Sequence, residues 1–348
     1  MRSKEALDKI INKSRVHLYK PIQIAEILYH YRHGEKIDLK DLQSYRNISK
    51  KWRDDMTIRL VGRRSTSSQK YQDDVFNAMP PELLYELGEY NKKSNGIVEN
   101  YIYHRLKERL KMVSEALEYI NNSGVKSFEL DTFLSRFIQK KGLKRSIDKV
   151  YEIVVYALFS TLVRALEVEI SLSVKNKDKQ ILSDFGEFIE LVIGLPKGKT
   201  SMTMYAKLFR VGVTNAADRG LDMWSNFGPA VQVKHVSLSQ ELVEEVAENI
   251  TADKIVLICS DGEKELIRKL TTQLPNSKIQ GIITIGDLRK WYKLCLSAKY
   301  QKVLGEKLLQ DLIREFGAEF PVGIEITSFL KERKYDILQL KGEWSLNS

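Results

Sequence analysis

The sequence predicts an α/β protein in which a mainly helical region, residues 1–175, precedes a region of strands and helices, residues 176–348. In the first region apolar residues recur at the three-to-four-residue spacing of helix faces. After residue 180, short apolar runs of strand length alternate with helical segments instead. The chain of 348 residues is long enough for two domains or one large one, and 43% hydrophobic with 29% charged residues is typical of a globular protein.

The helical region is expected to begin with a helix over residues 4–33, in which Pro21 suits a first helical turn. Further helices are predicted from residue 38, after the break at Pro80–Pro81, and over residues 97–122, 128–140 and 145–174. Residues 56–61 (MTIRLV) predict a short strand, which the polar, basic loop 62–70 follows. Two helices, a strand and a basic loop are compatible with a helix-turn-helix or winged arrangement.

The second region follows an exposed, lysine-rich turn at residues 175–179. Its strands are predicted over residues 205–213, 221–227, 230–238, 254–259 and 279–285. Its helices are predicted over residues 181–194, 239–250, 262–273 and 286–316. The order is therefore a helix, three strands, a helix and a further strand.

Positive charge is concentrated in the first part of the chain. Residues 1–150 hold 30 Lys and Arg against 20 Asp and Glu, a net of +10, whereas residues 151–348 hold 26 of each. Such asymmetry indicates a surface that meets a polyanion. A basic face that serves only solubility is the alternative.

Several classes of protein are disfavoured by composition. No apolar run approaches the roughly 18–20 residues that cross a bilayer, and the first residues lack the apolar block of a signal peptide. Cys259 and Cys295 lie in apolar sequence and lack the spacing of zinc ligands or of a disulfide framework. We therefore expect a cytoplasmic protein without a membrane segment.

One constellation of residues suggests catalytic chemistry. Asp222 is placed at the start of a predicted strand, and the turn at residues 225–229 folds that strand back towards the next. In the second strand Gln232 and Lys234 are two residues apart and share a face. A carboxylate, an amide oxygen and an ammonium then converge, which is the minimum needed to hold a divalent metal and activate water against a phosphodiester. Their simpler interpretation is a capping acid and the solvated face of a strand.

The pattern Asp222, Gln232, any residue, Lys234 resembles the motif of the PD-(D/E)XK nuclease superfamily, with Gln232 in place of the second acid. The resemblance implies a core of a mixed sheet flanked by helices, and the predicted order of helices and strands agrees with it. It also implies Mg²⁺ bound by Asp222, Gln232 and the Val233 carbonyl, with Lys234 positioning the attacking water. Gln232 supplies no negative charge, so we expect Glu187 or Glu190 on the preceding helix to complete the site.

The segments SRVHLYKPIQIAEILYHYR and TSSQKYQDDVFNAMPPELL look similar to restriction endonucleases of the HaeII-like group. This resemblance implies a type II, site-specific endonuclease that acts on double-stranded DNA as a homodimer. The candidate DNA contacts are basic residues of the first region: Arg63, Arg64, Lys50, Lys51 and Arg53.

Two alternatives remain open at this point. The chain could be another nuclease of the superfamily, directed by methylation or by DNA structure. It could also be a DNA-binding protein whose nuclease core is inactive because Gln232 has replaced the acid.

Overall fold

A computed structural model describes most of the chain. The described residues are 1–65, 69–140, 142–211, 221–234, 248, 250–261, 265–266, 268–269, 278–320 and 325–346. The helices predicted at 239–250 and 262–273 fall mainly outside them. Within them the architecture is a helical N-terminal region joined to a mixed five-stranded sheet, which confirms the predicted α/β class.

Eight helices precede residue 140 among the described residues. They are α1 (Arg2–Lys13), α2 (Tyr19–Arg32), α3 (Leu42–Tyr45), α4 (Ile48–Val61), α5 (Gln69–Ala78), α6 (Pro81–Lys93), α7 (Ile97–Asn122) and α8 (Leu130–Ile138). Helix α2 is the centre of this region, because residues 21–28 are all buried. A helix that is buried all round packs against neighbours on every side. The first predicted helix is therefore two helices, α1 and α2, separated by residues 14–18.

The strand predicted at residues 56–61 was wrong, because these residues form the last turns of α4. Buried positions in α4 include Ser49, Arg53, Thr57 and Leu60, at the spacing of one helix face. Packing of this face against α2 outweighs the strand propensity of the β-branched residues. The helix ends at Gly62, whose φ of 73° is the left-handed conformation of a helix C-terminus.

Helix α9 (Ile147–Ala165) connects the two regions of the chain. It is apolar over most of its length and packs against α13 (Glu306–Glu319) and the edge of the sheet. The predicted helix at 145–174 is too long, since the chain leaves the helical conformation after Ala165 and becomes extended from Glu169.

Residues 166–207 form a projection that we call the arm. Its stem is a two-stranded antiparallel ribbon, β1 (Glu169–Ser173) and β2 (Ser201–Tyr205). Between these strands lies the lobe (residues 178–195), built from α10 (Lys179–Asp184), α11 (Gly186–Phe188) and a π-helical turn, Ile189–Ile193. The single helix predicted at 181–194 is therefore a set of short helical turns.

The main sheet has the strand order β3-β4-β5-β6-β7. Its strands are β3 (Leu208–Arg210), β4 (Met223–Ser225), β5 (Ala230–Val233), β6 (Ile255–Cys259) and β7 (Ile279–Thr284). The first three strands pair antiparallel, and β5, β6 and β7 pair parallel. Helix α12 (Ile285–Leu296) follows β7 directly, with Thr284 and Asp287 forming a capping box at its start.

A continuous hydrophobic core crosses the predicted boundary at residue 175. It contains residues of the N-terminal helices, such as Leu7, together with Val231 of the sheet and Trp344 near the end of the chain. The last helix, α14 (Ile326–Glu332), and the residues after it pack on α7. The division into two domains stays a prediction. Within the described part of the chain, no helix has the length and apolar character of a membrane span.

Candidate active site

A tight hairpin between β4 and β5 brings the sequence motif together. Met223 pairs with Val231 and Trp224 with Ala230, so the next pair outward in this register is Asp222 and Gln232. At the turn, the Ser225 hydroxyl donates to the Pro229 carbonyl at 2.8 Å. Gly228 has a φ of 120°, a conformation that residues with a Cβ atom rarely adopt and that glycine adopts readily.

The Asp222 carboxylate is held against β5. Its Oδ2 accepts a hydrogen bond from the Val233 N–H at 2.7 Å. The charges of Lys149 and Lys234 act on the same carboxylate, so the Asp222 side chain and the Lys234 ammonium are near one another. Burial raises the pKa of Asp222, whereas the Val233 hydrogen bond and the two lysines lower it. The hairpin thus joins the predicted acid and the predicted lysine.

Gln232 is placed between them in the chain and is 3% exposed. Its amide oxygen, Oε1, has no hydrogen-bond partner among the described residues. A buried carbonyl oxygen without a partner costs free energy unless a ligand, ion or water satisfies it. The amide oxygen is therefore available as a ligand.

A second carboxylate reaches the site from α9. Glu152 is 5% exposed and interacts with Asp222. Burial and the negative charge of Asp222 raise the pKa of Glu152 to about 7, although Lys149 and Arg210 act to lower it. Glu152 was not among the residues predicted from the sequence. The available signal was that Glu152 is the single charged residue in the apolar run from Val150 to Val163, where an acid requires a partner.

Two basic side chains lie near this pair of carboxylates and partly balance their charge. Lys149, one turn before Glu152 on α9, places its Nζ 2.6 Å from Glu152 Oε2. Arg210 on β3 is bound by α13, with its Nη1 2.8 Å from Glu319 Oε2. The site is thus assembled from α9, β3, β4 and β5, which explains why separated segments supply its charges.

The predicted helix acids are placed elsewhere. Glu187 and Glu190 are on the lobe of the arm and are exposed. The prediction chose the helix nearest in sequence to the motif. In the structure the helix that packs on β3 and β5 is α9. The arm separates α9 from the sheet strands in the sequence only.

The predicted DNA contacts divide into buried and exposed residues. Arg53 is 2% exposed and its Nη1 donates to Gln23 at 3.2 Å, which is at odds with a phosphate contact. Arg63 is half-buried and donates to His17 at 3.0 Å and to the Glu319 carbonyl. Lys51 and Arg64 are exposed, and Lys50 is half-buried.

The donor atoms at this site fit a divalent cation. Asp222 and Glu152 are two acids that repel each other when both are ionised, and a bound cation would remove this repulsion. The unpartnered Gln232 oxygen adds a neutral ligand of the type that Mg²⁺ and Ca²⁺ accept. In the described ranges no cluster of three or more His, Cys, Asp or Glu that could hold a metal is found, either at this site or elsewhere.

A mixed sheet whose β4–β5 hairpin carries an acid, an amide oxygen and a lysine, with a second acid and a second lysine from α9, is consistent with a nuclease core. The chain belongs to the HaeII restriction endonuclease family, whose model matches residues 3–335. It is 51% identical to the type II restriction enzyme HaeII of Haemophilus aegyptius over 339 residues, which is 96% of each chain. It is also 49% identical over 342 residues to the type II restriction enzyme NgoBI of Neisseria gonorrhoeae, 97% of each chain. No solved structure matches.

Membership of this family confirms the predicted resemblance to HaeII-like enzymes and, with it, the prediction of a site-specific deoxyribonuclease.

Proposed function

We propose that this protein is a type II restriction endonuclease that hydrolyses phosphodiester bonds of double-stranded DNA with Mg²⁺ held by Asp222, Glu152, Gln232 and the Val233 carbonyl. The observation that carries the proposal is the approach of Glu152 to Asp222 beneath the β4–β5 hairpin. Family membership supplies the class of reaction, and this pair of acids supplies the negative charge that the motif lacks at position 232.

When bound, the cation supplies a Lewis acid for the scissile phosphate and lowers the pKa of a water. The protein's own residues do the rest. The Val233 N–H bond holds the Asp222 carboxylate against β5, where Glu152 interacts with it. Lys234 is half-buried beside Asp222 and is suited to stabilise charge that develops on the phosphate in the transition state. Lys149 bonds to Glu152 and offsets part of the rise in its pKa that burial and Asp222 cause.

The competing interpretation of an inactive DNA-binding core rested on the loss of an acid at position 232. Glu152 weakens it, because two carboxylates remain within one site despite Gln232. A methyl-directed or structure-directed nuclease is not favoured by the two relatives, both of which are named type II restriction enzymes.

We assign DNA contact in this proposal to the exposed basic residues Arg64 and Lys51, with Lys50 beside them. Arg63 is more suited to hold the loop after α4, since its guanidinium is bonded to Glu319 and His17. Near the end of α4, Arg59 also forms an ion pair with Glu332 of α14 and so joins this surface to that helix. Cutting both strands at one site requires two active sites, so we propose a homodimer.

Digestion of supercoiled plasmid tests the proposal. The protein with Mg²⁺ is expected to give discrete fragments, and without Mg²⁺ none. Lys234→Ala is expected to lower the cleavage rate at least about 100-fold while a gel shift with plasmid fragments persists, because the substitution removes charge stabilisation and not the DNA surface. Lys254→Ala, at an exposed lysine just before β6, is the matched control and should cut normally.

Three results would contradict this assignment. Normal cutting by Lys234→Ala would exclude the site. Smearing, or cutting restricted to methylated DNA, would favour another class of nuclease. Intact plasmid with a retained gel shift would favour the inactive DNA-binding protein.

A further inference from the structure

The lobe of the arm exposes an unusual amount of apolar surface. Six of its side chains are large, apolar and solvent-exposed: Ile181, Phe185, Phe188, Leu191, Val192 and Ile193. Leu191 and Val192 are 73% and 67% exposed, next to each other at the tip. Together the six present on the order of 600 Å², the upper end of the largest apolar patches on monomeric proteins. Such a patch indicates a contact surface.

Among the described residues, the stem and the lobe of the arm make most of their contacts within the arm itself. Its stem is a two-stranded ribbon, in which exposed and half-buried residues alternate in both strands. An isolated two-stranded ribbon is at best marginally stable in water. The lobe encloses an apolar groove of about 370 Å³, lined by Val174 of the stem together with Phe185, Phe188 and Ile193. Packing against another protein surface would stabilise both parts.

The arm as a whole holds six acidic and six basic residues, but the charge of its lobe argues against DNA as the partner of the lobe. The lobe contains four acidic residues and one lysine, a net of −3, whereas residues 1–150 carry +10. Phosphates would repel an acidic lobe, while a protein with a net charge of +10 would attract it. A second copy of this chain has that charge.

From these observations we propose that the arm, residues 166–207, is the dimerisation element, and that each lobe packs on a second copy of this chain. The inference rests on the proposed function in one respect, since cutting both strands of a duplex needs two copies of the site. The apolar area, with the polar atoms around it, is close to the roughly 800 Å² that each partner contributes to a standard interface.

The position of the arm suits this role. Its base is fixed to the β4–β5 turn, where Asn226 Nδ2 donates to the Tyr205 carbonyl at 3.1 Å and Asn226 Oδ1 accepts from the Lys207 N–H at 2.7 Å. Asp222 is four residues before Asn226, about 13 Å along an extended strand. A dimer formed through the arm would therefore fix two active sites relative to each other.

The test uses the full-length chain with Leu191→Ser and Val192→Ser combined. The matched control combines Ile337→Ser and Val303→Ser, which are 71% and 57% exposed and lie outside the arm. Sedimentation velocity is expected to find the unmodified chain and the control as dimers. The dissociation constant of the arm variant should rise at least 100-fold, with an unchanged circular dichroism spectrum. On supercoiled plasmid the arm variant should accumulate nicked circles, whereas the control should produce linear DNA directly.

A monomeric unmodified chain, or an arm variant that stays a dimer, would overturn the inference. An arm variant with unchanged mass but a weakened gel shift would show that the lobe contacts DNA. If the double substitution unfolds the lobe, Leu191→Glu alone provides the same comparison. A dimer that dissociates as expected but cuts no DNA in any form would leave the arm as the interface and contradict the proposed function instead.

Discussion

The contact between Asp222 and Glu152 concentrates negative charge where solvent has little access. Two acids so placed destabilise the fold when both are ionised, because burial and mutual repulsion both oppose the charged forms. Sites that store unfavourable charge in this way commonly hold a functional ligand. At the residue scale, the site is thus a compromise between stability and cation binding.

Replacing Glu152 by Gln should separate these two effects. Folded Glu152 retains its proton up to about pH 7, whereas its ordinary pKa is 4.5. Between these values the unfolded state binds fewer protons, so the free energy of unfolding falls as pH rises. Glu152→Gln removes this dependence, and above pH 7 it should stabilise the metal-free protein by about 1–2 kcal/mol while abolishing cleavage. Urea unfolding at several pH values measures the change in stability, and plasmid digestion measures the loss of cleavage. Glu118→Gln, at an exposed acid on α7, should change neither.

The pH dependence of cleavage should follow the same carboxylate. Below about pH 7 Glu152 is protonated and is a poor ligand for a cation, so at limiting Mg²⁺ the rate should increase as pH rises through this range. Higher Mg²⁺ should shift the midpoint to lower pH, since the cation favours the ionised form. Initial rates on a plasmid, measured across the neutral range at two Mg²⁺ concentrations, test this. If the pH midpoint is the same at both Mg²⁺ concentrations, Glu152 is not a ligand of the metal.

Residues of the motif were predictable because their relation is local. A strand places Gln232 and Lys234 on one face, and a short turn brings Asp222 back beside them. Glu152 is 70 residues before Asp222 in the sequence, and only the packing of α9 on the sheet unites them. The hydrogen bonds of Arg53 and Arg63 were not predictable for the same reason, because their partners Gln23 and Glu319 belong to other helices.

At the scale of elements, the strands around the motif were predictable from the sequence. Whether a short apolar run forms a helix or a strand was not always predictable. The strands predicted at 254–259 and 279–285 correspond to β6 and β7, whose continuous apolar character is typical of buried parallel strands. The run 56–61 has the composition of a strand, yet it continues α4, whose buried face extends back to Ser49. Local composition predicts structure well only where long-range packing agrees with it.

The β4–β5 turn joins the arm to the sheet through one side chain. Asn226 bonds to the backbone of both Lys207 and Tyr205, because its side-chain amide can donate and accept at the same time. We expect Asn226→Ala to destabilise the protein by about 1–2 kcal/mol and to lower cleavage, because β3 and β4 lose their fixed end. Urea unfolding and plasmid digestion test this. Asn77→Ala, on the exposed side of α5, is the control, and equal effects of both substitutions would contradict the role given to Asn226.

At the scale of the whole molecule, the C-terminal residues tie the two regions together. Arg333 donates from Nη1 and Nη2 to Glu26 of α2, each at 2.9 Å, and Tyr335 donates to Glu99 of α7. These partners are more than 200 residues away in sequence, so no local pattern predicts them. These contacts join the end of the chain to two helices of the basic region.

This arrangement predicts that the whole chain loses stability when the link is cut. Arg333→Met leaves the Glu26 carboxylate buried, with Tyr103 as its remaining partner, and removal of one member of a buried pair costs about 3–5 kcal/mol. Arg59→Met is the matched control. Arg59 joins α4 to Glu332 of the same C-terminal helix, but Glu332 is 58% exposed, and an exposed pair contributes about 0–1 kcal/mol. Thermal unfolding followed by circular dichroism should show one transition in all three proteins, shifted strongly only in Arg333→Met. Two separate transitions, with only the first shifted, would instead show that residues 1–175 and 176–348 fold as independent units.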